Sequence, residues 1–374
     1  MVLRETPPRP SRASRSDAQE GRHGRHHSYR AGRRSVNCLH GRALAPPGAG
    51  RPSRRSYDTT VRTLRRRSYP PSNRKQRRIQ TSGEHMNATQ QALALSVVGF
   101  MLLMLARGAV PARAQPSFAD VAYLPADRAE KLDVYLPPTA RDGGVFPAIV
   151  FIHGGGWAGG DKNDARSRNL AKVLTEAGYV FVSVNYKLAE KPVSSYHEAL
   201  GKSFPQNLMD CKAAVRFVRD QAAKYQVDPD RIGLMGASAG AHLAALAAYT
   251  DAKDEFGDRG GPIRCLVGLY GIYDWADFQK KNIRTEADRE LARKASPLTY
   301  LDKSDPPTFA IHGTKDIHVP HRQTLLLAQN LKELGISHQA IIVEGAPHSF
   351  DFNLKQRDLK ADLLPFLEKN LKGR

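Results

Sequence analysis

Seven short apolar runs recur between residues 131 and 346, and stretches of a different rhythm separate them. They read KLDVYLP, PAIVFIHGG, YVFVSVNY, RIGLMG, CLVGLYG, PTFAIHG and HQAIIVEGA. The first alternates apolar and polar residues, as a strand with one solvated face does. The others are apolar almost without a break. Strands of that kind must be covered on both faces, which is the condition of a mostly parallel sheet. Several intervening stretches repeat at three and four. In QNLMDCKAAVRFVRDQAAKY, the residues Leu208, Cys211, Val215, Val218 and Ala222 form one apolar stripe. VPHRQTLLLAQNLKELG and KQRDLKADLLPFLEKNL read the same way. Strands alternating with helices predict an α/β, mostly parallel, doubly wound sheet with helices on both faces. No repeat or linker interrupts residues 115–374, so these 260 residues are expected to form one domain with a sizeable core.

The formal charge of +20 would suggest a polyanionic partner, but it is unevenly distributed. Residues 1–85 carry 21 Lys and Arg against 5 Asp and Glu, and 20 of those 21 are Arg. Residues 115–374 carry 34 against 32. The domain therefore calls for no nucleic acid. The Arg-rich segment 1–85 mixes Arg, Ser and Pro with few aliphatic residues, and is expected to be disordered. Three readings compete for it: an upstream stretch translated from a start placed too early, an organellar presequence, or a nucleic-acid-binding arm. The first is favoured because a better start follows. Met86 opens MNATQQALALSVVGFMLLMLARGAVPARAQ, in which Ala92 to Ala106 is free of charge. That run is short for a membrane helix, which needs about 20 residues, and suits the apolar core of a signal peptide. ARA, Ala112 to Ala114, resembles a cleavage site. Residues 86–114 are thus read as a signal peptide whose n-region lacks a basic residue, with an uncleaved anchor or a buried helix as the alternative. The mature chain would begin at Gln115, be secreted or periplasmic, and keep no membrane anchor. It holds two cysteines, Cys211 and Cys265, expected to be free buried thiols.

Ligands of open parallel sheets bind beyond the carboxyl ends of the strands. Those ends carry HGGGW, GASAG, GTKD and APHSF. Ser238 stands in G-x-S-x-G between a strand and the helix pattern AGAHLAALAAYT, the context in which that serine is a nucleophile. Gly236 and Gly240 leave room for a tight turn. A reacting carbonyl needs hydrogen-bond donors, and the amides of Gly155, Gly156 and Ala239 are placed to form an oxyanion hole. A serine needs a base, and the base needs an orienting acid. His348 follows the last strand on a loop free to bend over the serine. His242, inside the helix after Ser238, reads as structural. Asp316 follows the strand TFAI and is preferred as the acid over Asp351, which lies on the wrong side of the loop. The order Ser238, Asp316, His348 is that of α/β-hydrolases.

HGGGWAGGDK, VNYKLA, DPDRIGLMGASAGAHLAALAA, HGTKD and EGAPHSF together resemble the α/β-hydrolase esterases of the carboxylesterase type. The closest likeness is to the bacterial feruloyl and acetyl-xylan esterase-like branch, grouped with hormone-sensitive-lipase-like enzymes. It covers Leu132 to Leu371. Lys187 stands where the family often has Arg, and Ala241 where a third glycine is common. The resemblance implies the α/β-hydrolase fold and the same triad and oxyanion hole. It also implies hydrolysis of acetyl or feruloyl esters, small or linked to polysaccharide, without cofactor or metal. Trp157, Tyr273, Trp275 and Phe350 flank these loops and are expected to contact substrate. The stretch between Tyr273 and Pro297 would form a small cap or the pocket rim. An amidase of the formamidase type on the same triad, and a non-catalytic binding protein on the same scaffold, are the alternatives.

Overall fold

The computed structural model describes residues 2–5, 114–251 and 253–373. The proposed signal peptide lies outside these residues except for Ala114, as does the Arg-rich segment apart from Val2–Glu5. Nine strands form one sheet among the described residues: β1 Val2–Glu5, β2 Phe118–Ala122, β3 Lys131–Tyr135, β4 Phe146–Ile152, β5 Val180–Val184, β6 Val227–Ala237, β7 Leu266–Leu269, β8 Thr308–Gly313 and β9 His338–Val343. Their order is β1-β9-β8-β7-β6-β4-β5-β3-β2. Each of the seven apolar runs supplies one of β3 to β9. The six from β4 to β9 pair in parallel, while β2, β3 and β1 run antiparallel at the two edges.

One expectation fails at β1. Val2–Glu5 belongs to the segment expected to be disordered, yet it pairs antiparallel with β9, with Val2 opposite Ile341 and Glu5 opposite His338. An edge strand offers a row of unpaired N–H and C=O groups, and a short extended segment can satisfy them without an apolar core of its own.

The helices are α1 Ala165–Glu176, α2 Tyr196–Ser203, α3 Gln206–Asp220, α4 Ala239–Tyr249, α5 Trp275–Phe278, α6 Glu286–Lys294, α7 Arg322–Glu333 and α8 Leu359–Leu367. Successive strand residues point to opposite faces, so the sheet has two cores. Val150 and Ile152 of β4 pack with Val215 of α3, Leu243 and Leu246 of α4, and Leu327 of α7. Ile149 and Phe151 pack with Leu170 and Leu174 of α1 and Leu363 and Phe366 of α8. Helix α4 has no polar face, and all eleven of its residues are buried, which its run of Ala, Gly and Leu permits. Cys211 and Cys265 are free and buried in opposite cores, so the sheet separates them. Burial pushes the Cys265 thiol up to about 12. Among the described residues, no helix is long and apolar enough to cross a membrane.

Three short helices form a roof on the carboxyl side of the sheet. Ser195 caps α2, Asp274 caps α5, and a Thr285–Asp288 capping box opens α6. The roof is tied together where His197 of α2 meets Asp288 of α6, with Nε2 to Oδ1 at 3.0 Å.

Candidate active site

Ser238 sits at the junction of β6 and α4 with φ 55° and ψ −120°. Few non-glycine residues adopt that left-handed conformation, which costs on the order of 1–3 kcal/mol. The surrounding backbone enforces it. The Ser238 N–H donates to Leu269 O at 2.9 Å, and its carbonyl accepts from His242 N at 3.1 Å. A β-carbon on Gly236 would lie 2.2 Å from Gly240 O, and one on Gly240 would lie 2.0 Å from Ile152 O. Both glycines of G-x-S-x-G are therefore demanded by backbone approach.

His348, on the loop after β9, places Nε2 3.0 Å from Ser238 Oγ and Nδ1 2.5 Å from Asp316 Oδ2. With an ionised Asp316, Nδ1–H donates to the carboxylate, and Nε2 is left to accept the serine hydroxyl proton. Tyr270 steadies this loop. Its ring lies 4.7 Å from that of His348, and its hydroxyl donates to Phe350 O at 2.8 Å.

The Asp316 side chain is buried. Its Oδ1 accepts from His318 N and Val319 N, each at 2.9 Å. Its Oδ2 takes a second imidazole, His312 Nε2 at 3.1 Å, besides His348. Burial alone would push the carboxyl up. Hydrogen bonds from His312, His348 and Val319 N outweigh burial and hold it well below the usual carboxylate range. Asp351 instead accepts from Asn169 of α1 at 2.9 Å, away from His348.

The HGGGW loop lies beside the serine. Gly155 and Gly156 have φ 126° and 61°, and a β-carbon on Gly155 would lie 2.1 Å from Gly159 O. The other motif residues brace this loop. Tyr186 O–H donates to His153 O at 2.9 Å, and Asn185 ties Lys162 N to the Asp161 carboxylate. Trp157, itself at φ 60°, donates its Nε1–H to His242 Nδ1 at 3.3 Å. His242 Nε2–H in turn donates to Ala295 O at 2.7 Å. Burial pushes the His242 pKa down to about 4, which the bond to Ala295 only partly offsets. His242 is a neutral, doubly bonded structural residue.

A cavity of about 740 Å³ opens above Ser238, lined by Gly154 to Gly159, by the start of α2 and by residues around α5. Of the four aromatic residues expected to touch substrate, Trp157 lines it. Tyr273, Trp275 and Phe350 do not. Tyr273 is buried over Gly268 and Gly271. Trp275 is buried behind Trp157, with ring centroids 5.0 Å apart. Phe350 packs on Tyr270 at 4.7 Å. Nearness in sequence to catalytic loops does not reveal that these rings serve the core. The exposed aromatic wall is Tyr196, with Phe278 stacked on it at 6.2 Å.

A serine, a histidine and a buried aspartate, hydrogen-bonded in series at the carboxyl ends of parallel strands, define a serine α/β-hydrolase. Comparison with known proteins agrees. The BD-FAE family model matches residues 132–331, just over half of the chain. The chain belongs to the BD-FAE family of α/β-hydrolase esterases. Esterase LipQ of Mycobacterium tuberculosis is 29% identical over 252 residues, covering 62% of this chain and 57% of that protein. This chain thus spans little more than half the length of such a curated relative. A truncated carbohydrate esterase from gut microbiota superposes with a TM-score of 0.59 at 27% identity, covering 70% of this chain and 99% of that one. A butyrate-bound thermophilic esterase from Thermogutta terrifontis gives 0.53 at 26% identity, covering 67% and 90%.

Proposed function

We propose that this protein is a serine carboxylic-ester hydrolase acting on short acyl esters, acetyl above all, or on feruloyl esters of plant polysaccharide. The observation that carries the reading is the line from Ser238 Oγ through His348 to Asp316, at 3.0 and 2.5 Å, open to the cavity. His348 takes the serine proton as Oγ attacks the ester carbonyl, then gives it to the departing alcohol. The same imidazole next activates water, which releases the acid and restores Ser238. Asp316 fixes the tautomer and faces the imidazolium that forms. The amides of Gly155, Gly156 and Ala239 receive the oxyanion, each worth about 3–4 kcal/mol of transition-state stabilisation. The left-handed turn at Ser238 raises Oγ towards the cavity, and the amino end of α4 favours the developing negative charge.

The acyl preference draws support from three directions. The roof leaves a compact cavity. Tyr196 offers an aromatic wall against which a flat feruloyl group can stack. The relatives described as a carbohydrate esterase and as butyrate-bound suit short acyl groups on sugar alcohols. Export through residues 86–114 would place the enzyme among such polymers, and N-terminal sequencing of secreted protein tests that step. For the chemistry, full-length protein and its Ser238→Ala variant are assayed on an aryl acetate, acetylated xylan and feruloylated arabinoxylan. The variant should lose at least about 10⁴-fold in kcat on every ester cleaved. Full activity in Ser238→Ala overturns the assignment. Turnover of aryl acetate without release from either polymer leaves an esterase of small molecules.

A further inference from the structure

The cavity above Ser238 has two side chains of full positive charge on its wall, Arg166 and Lys191, and no carboxylate. The rest of the domain balances its charges closely. Lys187 lies 3.4 Å from Glu190 and Lys202 2.7 Å from Glu198, whereas Arg168 bonds only to Asn163 among the described residues and does not line the cavity. Among the described residues, neither Arg166 nor Lys191 has a carboxylate within ion-pair distance. Arg166 is nevertheless held in place. Its guanidinium lies 5.8 Å from the centre of the Tyr270 ring, and Nη2 donates to Ser349 O at 3.4 Å.

That hydrogen bond says which side of the reaction the charge serves. Ser349 directly follows His348, the base that hands its proton to the departing alcohol. Arg166 therefore stands beside the residue that hands the proton to the leaving group. A cation anchored there attracts an anion carried by the alcohol portion, and Lys191 adds to the same field.

We infer that the natural substrate is an ester whose alcohol portion carries a carboxylate or similar anion, and that Arg166 and Lys191 select it. The inference rests on the esterase reading of the site. Its test uses para-acetoxybenzoate and the neutral para-acetoxybenzamide, which share acyl group and shape. For full-length protein, kcat/KM is measured for each ester and divided by that ester's own hydroxide rate constant. The corrected ratio should favour the carboxylate by about tenfold at low salt. It should fall towards one near 1 M salt, where the screening length shrinks to about 3 Å. It should also fall in Arg166→Gln and in Lys191→Gln. A corrected ratio of one or less at low salt, or a ratio that neither substitution moves, overturns the inference while the esterase reading stands. Absence of Ser238-dependent cleavage of both esters removes the two together.

Discussion

Asp316 Oδ2 is shared by two imidazoles, and only one of them reaches the serine. His312 sits in the core with Nδ1 3.0 Å from Thr324 Oγ1 and Nε2 directed at both Asp316 and Val319 O. It positions the carboxylate from behind while His348 works in front. Asp316→Asn keeps the size of the side chain but replaces one carboxylate oxygen with a donor, so His348 is driven to the wrong tautomer. The expected result is a fall in kcat of about 10⁴-fold with little change in thermal unfolding; a loss under tenfold would show that Asp316 is not the orienting acid. The triad was legible in the sequence because each member follows a recognisable strand. The role of His312 was not legible there, since nothing in HGTKD says that the first residue folds back onto the fourth after it. Tyr273, Trp275 and Phe350 were misread for a related reason. Whether a ring faces the cavity or the core depends on packing around Tyr270 and Trp157, and no local pattern records that.

At the level of elements, the strands were easy to find and the roof was not. Strands β4 to β9 lie between two cores and each carries a near-continuous apolar run, so their sequence gives a strong signal. Helices α2 and α5 have only eight and four residues, begin at capping side chains, and leave polar groups facing outward. Their periodicity is too brief to read. Only the Tyr273–Pro297 half of the roof was expected, and Tyr196, with the rest of the α2 wall, was missed. The junction of β6 and α4 is the element on which the site most depends. Gly240→Ala would push a methyl into Ile152 O and prise α4 away from β4. The change should cost about 3 kcal/mol, lowering the unfolding temperature by about 10 °C. Differential scanning calorimetry beside an esterase assay checks both, and a fully active variant of unchanged stability would contradict this geometry.

The whole molecule should be sensitive to acid, because it buries imidazoles in neutral form. His242, with a pKa near 4, is the clearest case, and burial depresses His153 and His312 in the same direction. A histidine in the unfolded chain takes up its proton near pH 6.5. Between about 6.5 and 4 the unfolded state therefore binds more protons, and stability falls as pH falls. For His242 alone the loss is about 3 kcal/mol across that window. Unfolding temperatures from pH 7 to 4 should show this slope, and His242→Gln should flatten it; identical slopes would exclude His242 as the source. A different consequence follows from β1. A chain without Val2–Glu5, whether by a later start or by cleavage after Ala114, would leave β9 without that partner. The outermost backbone groups of the sheet would then face outward, on the strand that leads to the loop carrying His348. With β1 in place the sheet closes its own seam, whereas a chain without it carries a bare hem to which another chain can stitch itself.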